Sequence, residues 1–325
     1  MLLPVYPPSK LDIAVMGEQG CGKTSFINAI RGLPDSDPSA GATCCWSTLK
    51  EPVKYPIEKA PSISFWDLPP FEKFNFNAQR YLNSINPQRF DLFLLLIDHR
   101  VTEDYLAVAT ELSQHNKRFV LARNKTDMQL QHLRNMSNFN LEHELQNIRL
   151  DTTKFVRQSR LQIRLPEIYA ISSHELGKYD YENAIECMVS LLMPDQRFLL
   201  LMALPVVSDQ IIELKQEQLF KCSAAYGSTM QPANPAFYIA EIQKYLGVFG
   251  LDQNSIIRLS RKSAKPIAEI YAACSSKFLE MQNGDFTALH SSWDQSTGST
   301  PNILTEAIIQ LGEDAKKVLQ LVKST

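Results

Sequence analysis

The stretch GEQGCGKTS, residues Gly17–Ser25, fits the pattern G-x-x-x-x-G-K-[ST] without a mismatch. The run before it, Leu11–Met16, is short and apolar, which predicts a buried strand. The segment after it places apolar residues at helical spacing and ends at Gly32. Strand, glycine loop and helix in this order direct backbone N–H groups and a helix N-terminus at phosphate oxygens. The stretch therefore predicts a phosphate-binding loop, or P-loop.

Glycine usage supports this interpretation, because glycine is rare elsewhere in the chain. Only 12 of the 325 residues are glycine, about half of the roughly 7% that is usual. Three of these 12 lie in the one loop, so a chance match in a glycine-rich segment is a poor explanation. By the chemistry of such loops, Lys23 would neutralise the β- and γ-phosphates and the Thr24 hydroxyl would hold Mg²⁺. The candidate phosphate-binding residues are Gly20, Cys21, Gly22, Lys23, Thr24 and Ser25.

The composition is that of an ordinary globular protein with room for two domains. The hydrophobic fraction is 44% and the formal net charge is −2, and without a basic excess we expect no nucleic-acid partner. Six cysteines occur without a C-x-x-C pair, which indicates a reducing, cytoplasmic setting rather than a disulfide framework or a zinc site. The longest apolar run, residues 198–207, contains a proline and is too short for a membrane span.

Strand and helix patterns alternate through the first part of the chain. Apolar runs predict strands at residues 11–16, 63–67, 91–98, 118–123 and 168–172, and one further strand is expected near residues 48–55. This alternation predicts an α/β domain of three layers with a mostly parallel sheet. A ligand is then expected at the carboxyl ends of the strands, where Gly17, Asp67, Asn124 and Ser172 all fall.

Beyond Pro194 the strand patterns stop and helical patterns follow. They cover residues 209–220, 236–246, 253–261 and 302–321. The apolar stripe of the last of these is more typical of a core-facing helix than of a membrane anchor. We therefore predict a lead-in at residues 1–10, a P-loop domain at residues 11–193 and an all-helical domain at residues 194–325.

Residues outside the P-loop complete a predicted magnesium site. Asp67 ends a predicted strand and is placed to hold Mg²⁺ through water. Thr43 and Thr48 lie in the loop between the phosphate-binding helix and the next core strand, where a nucleotide-sensing switch would sit. Either could supply a second hydroxyl, and both could equally be plain loop threonines. The predicted metal site is therefore Thr24 and Asp67 with Thr43, and Thr48 is the alternative to Thr43.

A second motif, Asn-Lys-Thr-Asp at Asn124–Asp127, follows a predicted core strand and matches the N-K-x-D signature of guanine nucleotide-binding proteins. The Asp127 carboxylate can accept hydrogen bonds from both N1–H and the exocyclic N2–H of guanine, and adenine offers neither donor. A wrong base would leave that carboxylate unpaired. Lys125 would lie over the base, Asn124 would tie its loop to the P-loop, and Ser172 and Ser173 would bring a backbone N–H to guanine O6. We therefore expect GTP and GDP as ligands rather than ATP.

Several segments resemble the immunity-related GTPases, the interferon-inducible, dynamin-like proteins of cell-autonomous defence. The resemblance is most specific in residues 11–32 and 63–69, and it extends to residues 245–252 and 313–316. It implies a Ras-like P-loop GTPase domain with a helical domain, slow GTP hydrolysis stimulated by GTP-dependent self-assembly, and action at intracellular membranes or pathogen vacuoles. Glu18 matches the acidic residue of the family's P-loop. Together with Lys23 and Thr43 it completes our set of candidate catalytic residues.

The chain departs from this family in three places. The family usually carries helices ahead of the GTP-binding domain, often with a lipidated start, whereas this chain begins about ten residues before its first predicted strand. Membrane attachment is therefore open. Pro70 stands where the family has a glycine whose backbone N–H reaches the γ-phosphate, and proline has no N–H. The acidic residue of the family's first switch has no clear match in Thr43–Thr48.

Two functions follow from these observations. The first is a slow GTP hydrolase stimulated by assembly, and it depends on Lys23, Thr24, Asp67 and the guanine motif. The second is a guanine nucleotide-binding interaction module with little or no hydrolysis, which Pro70 favours. For partners, we expect guanine nucleotide, a GTP-dependent homodimer or oligomer formed through the P-loop domain, and peripheral contact with an intracellular membrane.

Overall fold

The structure is a computed structural model that describes residues 10–43, 49–71, 75–134, 139–158, 167–229, 235–279 and 301–324. Within these ranges the chain divides into two compact units, of which the first ends at Leu200 and the second begins at Leu201. Among the residues described, no helix combines the length and the apolar character that a membrane crossing requires.

The first unit contains the strands β1 (Leu11–Met16), β2 (Val53–Ile57), β3 (Ala60–Asp67), β4 (Leu92–Ile97), β5 (Phe119–Arg123) and β6 (Ile168–Ala170). They form a six-stranded sheet in the order β2-β3-β1-β4-β5-β6. β2 runs antiparallel to β3 and every other neighbouring pair is parallel, which confirms the predicted mostly parallel sheet. The edge strand β2 contains Pro56, which is tolerated because an edge strand needs hydrogen-bond donors on one side only.

Helices cover the sheet on both faces. Ala14 and Met16 of β1 pack in one apolar cluster with Leu82 and Leu106, while Ile13 and Val15, which alternate with them, are equally buried on the opposite face. The strand β4 is buried along its whole length, as its continuous apolar sequence predicts. The helices of this unit are α1 (Lys23–Ile30), α2 (Ala78–Ile85), α3 (Glu103–Gln114), α4 (Thr126–Leu133), α5 (Leu141–Gln158) and α6 (Tyr181–Leu191), followed by α7 (Pro194–Ala203), which continues into the second unit.

The described part of the second unit is helical, which confirms the predicted all-helical region. Its further helices are α8 (Asp209–Thr229), α9 (Pro235–Val248), α10 (Gln253–Ser263), α11 (Ile267–Ala273) and α12 (Pro301–Lys323). The stripe of α12 is core, because Leu304, Ile308, Leu311 and Ala315 are all buried, although Ile309 is 43% exposed. The fully buried Lys215 of α8 donates from Nζ to the carbonyls of Leu204 and Val248 at 2.6 Å each. It thereby joins the ends of α7 and α9.

A buried carboxylate on α12 holds the chain that follows α11. Asp314 is 1% exposed, and its two oxygens accept hydrogen bonds from the backbone N–H groups of Ser275 at 2.9 Å and Ser276 at 2.8 Å. The ammonium group of Lys317 lies 3.2 Å from the same carboxylate. Since a buried carboxylate is costly without such partners, the turn and the helix stabilise each other.

We predict that Asp314→Ala lowers the free energy of unfolding by about 2–4 kcal/mol, because it leaves the buried backbone N–H of Ser276 and the part-buried N–H of Ser275 without their acceptor. The matched control is Glu313→Ala, since Glu313 is the neighbouring acidic residue on the same helix and is exposed. Urea denaturation of both variants measures the difference. Equal losses in the two variants would contradict the role assigned to Asp314.

Candidate functional site

The glycine loop between β1 and α1 is packed so closely that two of its glycines have no room for a side chain. A Cβ atom at Gly17 would lie 2.2 Å from the carbonyl oxygen of Leu96. Gly22 has a φ of +92°, which favours glycine, and a Cβ atom there would lie 2.4 Å from Nδ2 of Asn124. The spacing of glycines in the motif is therefore required by the neighbouring strands as well as by the backbone of the loop.

Lys23 lies over this loop, and Thr24 joins it to the end of β3. The buried ammonium group of Lys23 donates to the carbonyls of Gly17 at 3.2 Å and Glu18 at 3.1 Å. The hydroxyl of Thr24 donates to Oδ2 of Asp67 at 2.5 Å. Asp67 is placed there because β1 and β3 are parallel neighbours with Val15 opposite Asp67, so both strands end at the same edge.

Asp67 is suited to a divalent cation. It is fully buried, and burial raises the pKa of its carboxyl, although the hydrogen bond from Thr24 and the charge of Lys23 act in the opposite direction. Its Oδ1 is buried without a hydrogen-bond partner among the residues described. Mg²⁺ takes oxygen ligands and is usually held by one or two protein groups together with substrate phosphates. The pair Thr24 and Asp67 therefore fits Mg²⁺, and the described residues contain no cluster of three acidic, histidine or cysteine side chains that would hold a metal alone.

Asn124, directly after β5, connects three loops. Its side chain is 2% exposed. Nδ2 donates to the carbonyl of Cys21 in the P-loop at 3.0 Å, and Oδ1 accepts from both N–H and Oγ–H of Ser173 at 3.0 Å each. The contact with the P-loop is the one that the sequence analysis expects of Asn124. The P-loop, the Asn124–Asp127 segment and the loop after β6 are thus held in one arrangement.

The next residues present a charged pair and a carboxylate oxygen without a partner. Lys125 has a left-handed backbone with a φ of +60°, and its Nζ lies 2.8 Å from Oδ2 of Asp98 at the end of β4. Asp127 lies in the first turn of α4. Its Oδ1 is buried with no hydrogen-bond partner among the described residues. A buried carboxylate oxygen without a hydrogen-bond donor is costly, so the position suits a ligand that brings N–H donors.

Ser172 and Ser173 lie beside this segment, and both are buried. The hydroxyl of Ser172 accepts from the backbone N–H groups of His174 at 3.2 Å and Glu175 at 3.0 Å, which stabilises the turn of its own loop. The N–H of Ser173 already donates to Asn124. Both serines thus lie beside Asn124 with their side chains engaged in holding the loops. Their predicted contact with guanine O6 stays a prediction.

The predicted catalytic residues beyond Lys23 lie in different surroundings. Oε1 of Glu18 accepts from Oγ1 of Thr102 at 2.9 Å, so its carboxylate is tied to the start of α3. Thr43 is exposed. Thr48 lies outside the described residues. The predicted roles of Glu18, Thr43 and Thr48 stay predictions.

A buried asparagine that sequence reasoning missed holds the segment before Thr43. The fully buried Asn28 of α1 accepts from the N–H of Gly41 at 2.8 Å and donates to its carbonyl at 2.9 Å. It also donates to Oδ1 of Asp35 at 2.9 Å. An asparagine inside an otherwise apolar helix face is the only signal that the sequence offered for this role. The segment is thereby anchored to α1 two residues ahead of Thr43.

The segment after β3 is held by aromatic side chains. Phe71 is 3% exposed, and its ring lies 5.0 Å from Phe76, 5.3 Å from Tyr81 and 5.0 Å from Tyr105 between centroids. The N–H of Phe71 donates to the carbonyl of Gly17 at 3.4 Å, and the hydroxyl of Tyr81 donates to the carbonyl of Pro69 at 2.8 Å. Pro70 therefore sits in a segment that is packed directly against the P-loop.

The sheet order, the P-loop and the acidic residue at the end of β3 together define a P-loop GTPase fold. The family model described as interferon-inducible GTPase matches residues 6–290 of this chain. The chain belongs to that interferon-inducible GTPase family, as the resemblance in the sequence predicts. The match extends from the P-loop unit into the helical unit.

Several characterised proteins are similar over most of this chain. Interferon-inducible GTPase 5 of Rattus norvegicus is 29% identical over 289 residues, which cover 85% of this chain and 62% of that protein. Interferon-gamma-inducible GTPase 10 of Mus musculus is 27% identical, with 83% and 67% covered. Interferon-inducible GTPase 1 of Mus musculus is 28% identical, with 82% and 68% covered. The chain thus spans 62–68% of the length of these relatives.

We predict that Gly22→Ala destabilises the nucleotide-free protein by more than about 2 kcal/mol, because the new methyl group collides with the Asn124 amide and is strained at positive φ. Gly32→Ala is the matched control, since Gly32 has a φ of +69° and a Cβ atom there would meet no neighbouring atom within 4 Å. The free energy of unfolding of the control should fall by only about 1 kcal/mol, which is the cost of placing alanine in a left-handed backbone conformation. Thermal unfolding without nucleotide measures both. Similar losses would contradict the close approach of Asn124.

Proposed function

We propose that this chain binds guanine nucleotides with Mg²⁺ and hydrolyses GTP to GDP. The observation that carries the proposal is the Asn124 side chain, because it joins a P-loop of complete sequence to the segment that carries Asp127. The phosphate-binding and base-binding ends of a nucleotide site are then fixed relative to each other. The membership of the chain in the interferon-inducible GTPase family supports the same function.

In this proposal the residues of the P-loop and of β3 act on the phosphates. Lys23 would turn its ammonium group from the carbonyls of Gly17 and Glu18 to the β- and γ-phosphates. Thr24 and Asp67 would hold Mg²⁺, which when bound neutralises charge that develops on the phosphate oxygens. The backbone N–H groups from Gly20 to Ser25 would surround the phosphates at the start of α1. Phosphoryl transfer needs mainly such positioning and charge stabilisation, and little proton transfer from the protein.

The base would be selected by Asp127. Its buried Oδ1 has no partner among the described residues, and a guanine base would supply the N1–H and N2–H donors that the carboxylate lacks. An adenine base would leave the carboxylate unpaired, which costs about 1–3 kcal/mol or more for a charged group. Lys125, held toward Asp98, would cover one face of the base.

The wider function is proposed from the family. The names of the relatives describe them as inducible by interferon, which supports a role for this chain in cell-autonomous innate immunity. We propose slow hydrolysis, acceleration by GTP-dependent association of P-loop domains, and a cytoplasmic protein with peripheral contact to intracellular or vacuolar membranes. Glu18 and Thr43 are the proposed catalytic residues beyond Lys23, and residues 11–193 and 194–325 are the proposed domains.

The proposal predicts a specific rate of GTP hydrolysis that rises with protein concentration, because assembly completes the catalytic site. The measurement is release of phosphate from GTP over a range of concentrations of the purified chain, with ATP as the competing substrate. Lys23→Ala is the control, and it should abolish GTP binding through loss of the phosphate-binding charge. Undiminished affinity in Lys23→Ala would refute the site, and a flat, negligible rate with tight binding would refute assembly-stimulated hydrolysis.

A second function is favoured by the segment after β3. Pro70 offers no N–H to a γ-phosphate, and the buried Phe71 beside it is fixed in an aromatic cluster. A segment of this kind supports a guanine nucleotide-binding interaction module with little hydrolysis. The two functions share the nucleotide site and differ in the step after binding.

If Pro70 limits hydrolysis, Pro70→Gly should raise the rate about tenfold or more, because it restores a backbone N–H that can reach a charged oxygen. Pro69→Gly is the matched control, since it adds the same backbone freedom one residue earlier in the chain. The carbonyl of that residue accepts a hydrogen bond from the hydroxyl of Tyr81. Single-turnover hydrolysis at saturating protein measures the chemical step. An unchanged rate in Pro70→Gly would remove this explanation.

A further inference from the structure

A polar cluster of exposed and half-buried side chains joins the end of α4 to the loop after β6. Arg134 follows the last residue of α4, the helix that begins beside Asp127. Glu175 and Tyr179 lie in the loop after β6, which also carries Ser172 and Ser173. The cluster therefore connects the same two elements that Asn124 connects.

The Tyr179 hydroxyl is the centre of this cluster. It accepts a hydrogen bond from Nη2 of Arg134 at 2.9 Å and donates to the carboxylate of Glu175. The guanidinium of Arg134 also lies 3.5 Å from that carboxylate, and Lys178 lies 3.0 Å from it. Burial raises the pKa of Glu175, but the hydrogen bonds from Tyr179 and Lys178 and the nearby positive charges outweigh burial, so the net shift is downward. The carboxylate thus stays ionised and keeps both partners.

The position of Tyr179 is fixed by the packing of its ring and by the hydrogen bonds of the next residue. Its ring packs against an apolar cluster formed by Leu145, Ile148 and Ala170. The following residue is Asp180. Its N–H donates to the carbonyl of Ala170 at 2.8 Å, and its carboxylate accepts from the N–H of Ala170 at 2.9 Å. Arg149 of α5 forms a bidentate pair with the same carboxylate. The hydroxyl of Tyr179 therefore presents a fixed point against which the end of α4 is held.

Asp127 is within electrostatic range of this point. Burial and the bond to Glu175 raise the pKa of Tyr179 most, and the negative charge of Asp127 raises it further. The two ends of α4 are then held separately, since Asn124 precedes its first turn and Arg134 follows its last. A change at either end would tilt the helix and move Asp127 relative to the serine loop.

We propose that Tyr179 is a positioning residue for guanine recognition, which it serves by bridging Arg134 and Glu175 so that Asp127 and Ser173 keep the separation that the base requires. This inference rests on the proposed guanine site. It adds a residue outside the nucleotide motifs that determines how well guanine is distinguished from related bases. Loss of the bridge would weaken the contacts to the base edge and leave Lys23 and Thr24 unaffected.

The test compares binding of GDP and IDP to the purified chain and to its variants. Hypoxanthine lacks the exocyclic amino group, so Asp127 accepts two hydrogen bonds from guanine and one from hypoxanthine. We expect the wild type to prefer GDP. We expect Tyr179→Phe to reduce that preference about tenfold, because it loosens the contact of Asp127 with the exocyclic N2–H that only guanine offers. Arg134→Ala should reduce the preference for GDP to a similar extent. The double variant should lose no more of this preference than each single variant, because both substitutions break the same bridge.

Tyr181→Phe is the matched control. Tyr181 lies two residues further on, and its buried hydroxyl has no hydrogen-bond partner among the described residues, so its removal should leave the preference unchanged. An unchanged preference in Tyr179→Phe, or equal losses in Tyr179→Phe and Tyr181→Phe, would overturn the role of Tyr179. If Tyr179→Phe does not fold, Arg134→Ala decides, since its side chain is 44% exposed. A wild type that does not prefer GDP would instead refute the guanine site itself.

Discussion

The hydrogen bonds of the buried Asn124 amide are the constraint on which the rest of the site depends. A primary amide has two donors and two acceptor positions, and a buried one is costly when they are unused. Asn124 donates from Nδ2 to Cys21 and accepts two hydrogen bonds from Ser173 at Oδ1, and these partners belong to loops about 150 residues apart in the chain. The backbone N–H of Asn124 donates to the carbonyl of Ile97 at 2.8 Å, so the backbone that carries this side chain is held by β4. Gly22 is glycine because this amide approaches it so closely.

The segment after β3 depends on a different kind of interaction. Aromatic pairs with ring centroids about 5 Å apart contribute roughly 0.5–1.5 kcal/mol each beyond the area that they bury. Phe71 has three such neighbours. A segment packed in this way resists the movement that a nucleotide-sensing switch requires. The proposed nucleotide binding and the proposed hydrolysis therefore depend on different contacts. Among the described residues, the hydrogen bonds of Asn124 and Lys23 do not involve Phe71, except that Lys23 and Phe71 both donate to the carbonyl of Gly17.

The sequence predicted the sheet and the place of the site well because both follow from local signals. Continuous apolar runs such as β4 indicate strands buried on both faces, and parallel strands end at a common edge, which places Asp67 beside Thr24. α2 was not predicted, because only Ala78, Leu82 and Ile85 of its residues are buried and the others are mostly polar. Contacts such as Thr102 with Glu18 or Asn28 with Gly41 depend on tertiary packing, and no spacing rule predicts them.

Two residues near the proposed base site share an unusual backbone. Lys125 and Tyr179 both have a φ of +60°, which is uncommon for residues other than glycine, asparagine and aspartate. Such conformations persist where the surroundings determine them, and they concentrate at functional sites. Each is held here by its own side chain, Lys125 through Asp98 and Tyr179 through Arg134 and Glu175. The strain therefore lies in the two loops that flank Asp127, where a small shift of either backbone would change the fit of a planar base far more than it would change the fold.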